Sequence, residues 1–165
     1  MIDNLANVRI GLGLVMFGLL FGIGLGIAFG VDEPFFETHI ARGIAAHPEL
    51  HDAKSPDKIW RYAQRAHFHA TGIAAFSLGL LLLIAASSLK QRLKTITAGL
   101  IGLGGLYPFA WLTMFIVAPS VGTDAAHSYP VTELLTYTGI GGLLVGMAIL
   151  LANLFFGLFS ERKDT

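Results

Sequence analysis

Four stretches of this chain run without a single Asp, Glu, Lys or Arg: residues 10–31, 66–89, 95–123 and 134–160. Each exceeds the roughly 20 residues that a helix needs to cross a bilayer core about 30 Å thick. Four helices and three connections use the whole chain. The predicted fold is therefore all-α: a polytopic membrane protein with a single domain over 1–165, folded as a four-transmembrane-helix bundle. Its helices are expected at about 8–30, 58–88, 94–121 and 131–159. The first apolar run is too long for a signal peptide, and no small-residue cleavage site of the usual form follows it.

Within the first run, Gly18, Gly22, Gly26 and Gly30 recur every four residues, with Gly11, Gly13 and Gly24 besides. Residues four apart share a helix face, so the pattern predicts a strip without side chains. Such a strip suits close helix packing; it also suits a flat macrocycle laid against it. The first connection, 32–58, is long and mixed in charge. Pro34, Pro48 and Pro56 interrupt it, and 37–46 is expected as a short interfacial helix. Its histidines, His39, His47 and His51, read as solvated, although His47 and His51 stand at i, i+4 beside Pro48. Asp57 is expected to cap the second span, with Trp60 and Tyr62 at headgroup level, where amphipathic rings collect. In the third span Pro108 frees a carbonyl and should bend the helix. Trp111 carries an indole N–H that needs a partner if buried. The third connection, 119–130, holds Asp124 and His127 but no cation, and the fourth span opens with Glu133 and contains Gly141, Gly142 and Gly146.

Composition agrees: 13% of residues are charged and the mean hydropathy is +0.66, values of a membrane protein. A formal net charge of zero argues against nucleic acid as a partner, and the absence of cysteine excludes disulfides, thiolate-bound clusters and Cys-type zinc sites. Arg9, Lys90, Arg92, Lys94, Arg162 and Lys163 flank one set of helix ends. Arg42, Lys54, Lys58, Arg61 and Arg65 flank the other, spread through an acid-rich loop. Both termini are thus predicted to be cytoplasmic in an inner or plasma membrane, which puts the start of the second span near the outer face.

The candidate chemistry lies at that start, in the run from Ile59 to Gly72. Imidazole at the edge of hydrocarbon is costly and marks a functional site by default. His67 shares its face with Ala63, Gln64, Ala70, Thr71 and Ala74, mostly small residues that leave room for a porphyrin edge-on. Imidazole is a usual axial ligand of haem iron, and guanidinium forks match carboxylate geometry. The expected cofactor set is therefore haem with His67 as the metal ligand, Arg61 and Arg65 for the propionates, and Thr71 alongside. His69 points roughly 200° away around the helix, toward a neighbouring helix or Glu133. A sixth ligand, if any, would come from His69 or His127 on another helix or subunit.

Three places in the chain resemble styrene oxide isomerases, a family of small four-helix membrane enzymes that bind haem b. Leu19-Leu20-Phe21-Gly22-Ile23-Gly24-Leu25 is close to that family's Leu-Leu-Phe-Gly-Val-Gly-Leu. Arg65-Ala66-His67 matches an Arg-Ala-His whose histidine ligates the iron. The third helix aligns without a gap, keeping Leu103, Gly105, Pro119 and Gly122. The resemblance covers nearly the whole chain. It implies a homotrimer with haem between neighbouring protomers and a ferric iron acting as a Lewis acid that turns an aryl epoxide into an aldehyde. The family's pocket also uses an Asn and a Tyr; Ile73 and Leu112 stand at those positions here. Tyr107, Trp111 and Thr113 are the nearby candidates for a polar pocket wall. Three functions follow as expectations: an isomerase-like enzyme acting on a small lipophilic epoxide, a haem protein for gas binding or electron transfer, and a cofactor-free structural subunit.

Overall fold

The computed structural model describes residues 6–161; Arg162 and Lys163 of the basic tail lie outside the described residues. Four helical segments are long and apolar enough to cross a membrane, and no strand occurs among the described residues. The first is α1 (Arg9–Val31), followed by α2 (Glu33–Ala46), a short helix in the first connection. The second span is α3 (Ser55–Ala86). The third is divided into α4 (Gln91–Leu103) and α5 (Tyr107–Val121), and after the short α6 (Thr123–His127) the fourth span is α7 (Pro130–Phe156).

Local chemistry accounts for where these helices begin and end. The Asp32 carboxylate accepts the Phe35 N–H at 3.2 Å, and Pro34 sits in the first turn. That pairing is an N-terminal signal, and it starts α2 four residues before the expected position. Asp57 does not cap α3. Instead Asp52 accepts from the Ser55 hydroxyl and the Lys54 N–H, both at 2.9 Å. These two bonds, the hydroxyl first, hold the Asp52 carboxyl below its ordinary range. Pro108 produces its expected irregularity one turn upstream: Gly104–Leu106 tightens into a 3₁₀ turn, and Pro108 falls in the first turn of α5, where its missing N–H goes unneeded. Pro119 lies inside α5 and not in the connection. The chain then leaves α5 at Gly122, whose φ of 85° suits glycine alone.

Backbone proximity, more than large side chains, joins the spans. Along α1, a Cβ on Gly11 would collide with the Ala98 carbonyl of α4, and one on Gly22 would lie 2.8 Å from the Ala70 Cβ of α3. Helix α7 repeats the device: a Cβ on Gly139 would lie 2.8 Å from the Tyr107 nitrogen, and one on Gly146 would lie 3.0 Å from Ile101. Membrane helices associate through such close contacts because burial from lipid yields no hydrophobic gain. The glycine strip on α1 thus serves helix packing at Gly11 and Gly22, whereas Gly30 faces open space.

Two apolar clusters fill the interior. One, at the end of the bundle holding the described termini, gathers Val15, Leu81, Ile84, Ala98, Ile101 and Leu150. The other, at the opposite end, gathers Phe36, Ile40, Ile59, Tyr62, Met114 and Phe115. The connection histidines are not solvated as expected. His39 packs on Phe115 with ring centroids 5.0 Å apart, and His51 Nε2 lies 3.1 Å from the Pro119 carbonyl. Both are half-buried because α2 folds back over α5. His47 stays beside Glu49, at 3.9 Å.

Candidate functional site

Roughly three turns into α3, the chain presents His67 to one flank and His69 to the other. His67 points at α1. Its Nδ1 lies 2.8 Å from the Gly22 carbonyl oxygen, and since a carbonyl can only accept, Nδ1 carries the proton. Nε2 has no hydrogen-bond partner among the described residues, and in the tautomer with the proton on Nδ1 it carries the lone pair. Gly26 makes this reach possible. A Cβ there would lie 2.7 Å from the His67 Cε1 and 3.0 Å from Nδ1, so any side chain would push the ring off the carbonyl.

Phe29 meets the imidazole edge-on, with centroids 6.1 Å apart, and Phe68 lies beside it at 5.2 Å. Phe68 is 63% exposed, and a Cβ on Gly72 would meet nothing within 4 Å. Thr71 turns its methyl toward Gly22 and gives its hydroxyl to the His67 carbonyl at 3.1 Å. Ile73 is buried against Gly104, and Leu112 packs on the apolar cluster at the end away from the described termini.

The other flank is aromatic. His69 bonds through Nδ1 to the Arg65 carbonyl of its own helix, at 2.8 Å, and does not bond Glu133. Its ring stacks on Trp111 at 5.5 Å and meets Tyr107 edge-on at 5.0 Å. The Arg65 guanidinium lies 4.7 Å from the Trp111 ring centroid, a cation–π contact. Tyr62 and His127 join the cluster through a 3.0 Å hydrogen bond between the Tyr62 hydroxyl and His127 Nε2. The Trp111 indole N–H, in contrast, is buried without a partner.

The predicted site residues therefore divide. His67 and Thr71 sit together on the α1 flank. Arg65, Tyr107 and Trp111 gather with His69 on the α5 flank. Exposed Arg61 donates its Nε–H to the Asp57 carbonyl at 3.2 Å, and Thr113 bonds back to Phe109 at 2.8 Å. Sequence reading missed the part played by Gly22 and Gly26 as a window onto a carbonyl; their spacing of four was the available signal. It also missed the Tyr62–His127 pair, which nothing in the sequence announces. No group of three or more His, Asp or Glu side chains forms a metal cage among the described residues, but an axial haem ligand requires only one imidazole. Searches against protein-family profiles, curated proteins and solved structures find no match for this chain.

Proposed function

We propose that this chain is a haem b-binding integral membrane protein, in which His67 would hold the iron, that isomerises a small lipophilic epoxide-like substrate to a carbonyl compound. The observation that carries the reading is the His67–Gly22 hydrogen bond. Metal-ligating histidines almost always donate their second N–H to a carbonyl or carboxylate, which fixes the tautomer and raises the basicity of the ligating nitrogen. Here Nδ1 is so engaged and Nε2 is left with its lone pair.

Ferric haem held at that nitrogen would supply a Lewis acid that polarises a substrate oxygen, a contribution of several kcal/mol without a proton donor. The rest falls to the chain. Gly22 and Gly26 orient the imidazole, and Phe29 and Phe68 wall it with apolar rings. Arg61 is exposed at the polar end of α3, where its terminal N–H groups suit a propionate. Ile73 packs against Gly104, and Leu112 packs on the apolar cluster around Tyr62 and Phe115; neither offers a hydrogen bond, so substrate choice would rest on shape and on the iron. The exposed Phe68 beside His67 leaves room for a neighbouring copy to complete the site, as a homotrimer would require. The basic residues at the termini end support a cytoplasmic placement of both termini.

The test is turnover of a panel of aryl and alkyl epoxides by detergent-purified, haem-loaded protein, with carbonyl products quantified. Haem-dependent product that vanishes in His67→Ala is the expected result. A haem spectrum without turnover would move the protein to gas binding or electron transfer. A colourless preparation after haem supply would leave the structural-subunit reading.

A further inference from the structure

A cleft of about 240 Å³ opens between the first turns of α3 and the short α6, on the flank away from His67. Lys58, Arg61 and Arg65 of α3 line it, together with Thr123, Asp124 and His127 of α6. The three cations stand at i, i+3 and i+7, one face of a helix. The Tyr62 hydroxyl, 3.0 Å from His127 Nε2, ties α6 to that face. Three cations thus share the cleft with one carboxylate, Asp124. Lys58 also has Asp52 at 3.9 Å, but neither Arg61 nor Arg65 makes an ion pair among the described residues. Arg61 commits only its Nε–H, to the Asp57 carbonyl. The Arg65 guanidinium lies over the Trp111 ring, and its N–H groups make no hydrogen bond among the described residues. Both arginines are exposed, so an incoming acceptor can reach them.

We infer that this cleft holds the phosphate of an anionic phospholipid headgroup. Depth decides the class of anion. The uncharged run of α3 begins at Ala66, immediately after Arg65, so the three cations stand at the edge of the hydrocarbon. The anions that a bilayer presents at that level are headgroup phosphates, and basic pockets between membrane helices take anionic headgroups. A guanidinium fork matches phosphate oxygens, and the Lys58 ammonium adds a point charge. A volume of about 240 Å³ falls below the roughly 300–1,000 Å³ of drug-sized sites. It suits a headgroup whose acyl chains stay outside, along the apolar helix faces. The surplus of positive charge disfavours a choline headgroup, whose ammonium would add to it. Arg61 also serves the haem reading, so the test is placed on Lys58 and Arg65.

The experiment titrates dioleoylphosphatidylglycerol, dioleoylphosphatidylcholine and soluble glycerol phosphate into the delipidated full chain in detergent, and counts bound adducts by native mass spectrometry. The first phosphatidylglycerol should bind about five- to tenfold more tightly than phosphatidylcholine or glycerol phosphate. Lys58→Gln and Arg65→Gln should each weaken it about five- to tenfold, as expected for loss of a charge-assisted contact. The Lys58 side chain is 40% exposed, so Lys58→Gln leaves the packing intact. Arg65→Lys, which keeps the charge, should recover most of the affinity. Arg92→Gln, an exposed cation at the other end of the bundle, should change nothing. His67→Ala should also leave the adduct unchanged, which separates this outcome from that of the haem assignment. Equal affinity for the two lipids, or equal weakening by Arg92→Gln, would overturn the inference. Glycerol phosphate bound as tightly as the lipid would overturn it too, by making the occupant a soluble phosphate.

Discussion

Two histidines two residues apart on α3 meet opposite fates. His67 crosses to another helix and bonds the Gly22 carbonyl through a gap left by Gly26; His69 turns back to the Arg65 carbonyl of its own helix and stacks on Trp111. Both donate Nδ1–H to a carbonyl oxygen. What separates them is the wall they face. The first packs on the glycine strip of α1 beside an exposed Phe68; the second is hemmed by Tyr107, Trp111 and an arginine. The residue type alone does not decide what each imidazole meets; the partner helix does.

That contrast can be broken at several points, beginning with the largest expected effect. Gly26→Ala should displace the imidazole from Gly22 and lower haem affinity about 10–100-fold, the usual effect of losing an outer-shell partner. Haem titration followed by absorbance would measure it, and unchanged affinity would mean that the glycine window is only packing. Gly11→Ala meets the backbone of Ala98 with no histidine involved. It should cost about 1–3 kcal/mol of stability through overpacking while haem binding by the folded fraction stays as in wild type. His69→Ala should lose about 0.5–1.5 kcal/mol of ring contacts, visible as a small drop in thermal stability, and leave the haem spectrum alone. A spectrum that changed would make His69 a second ligand. Gly30→Ala, facing open space on the same strip, should be the mildest, gaining up to about 1 kcal/mol from helix propensity.

Much of the fold was legible because lipid imposes a coarse rule: long uncharged runs become spans, and all four did. Boundaries set by a few polar atoms were less so. Asp52 with Ser55 starts α3 before Asp57, and Asp32 extends α2 toward α1, because capping depends on rotamers that spacing does not reveal. His67 stood out as a costly imidazole in an apolar run. The division of its supposed neighbours did not. Arg65 and His67 stand two residues apart in the motif and so nearly opposite on the helix, and only the positions of α1 and α5 decide which of them each side chain meets. The burial of His39 and His51 was hidden for the same reason, since it depends on α2 folding over α5.

The central claim is one bond, from His67 Nε2 to haem iron. Its most direct test is the absorption spectrum of haem-supplied His67→Gly protein in detergent, recorded with and without added imidazole beside the wild type. The account predicts a Soret band in the wild type, its loss in the variant, and its return when free imidazole fills the vacated space. A wild type without the band, or a variant whose band matches wild type before imidazole is added, would contradict it.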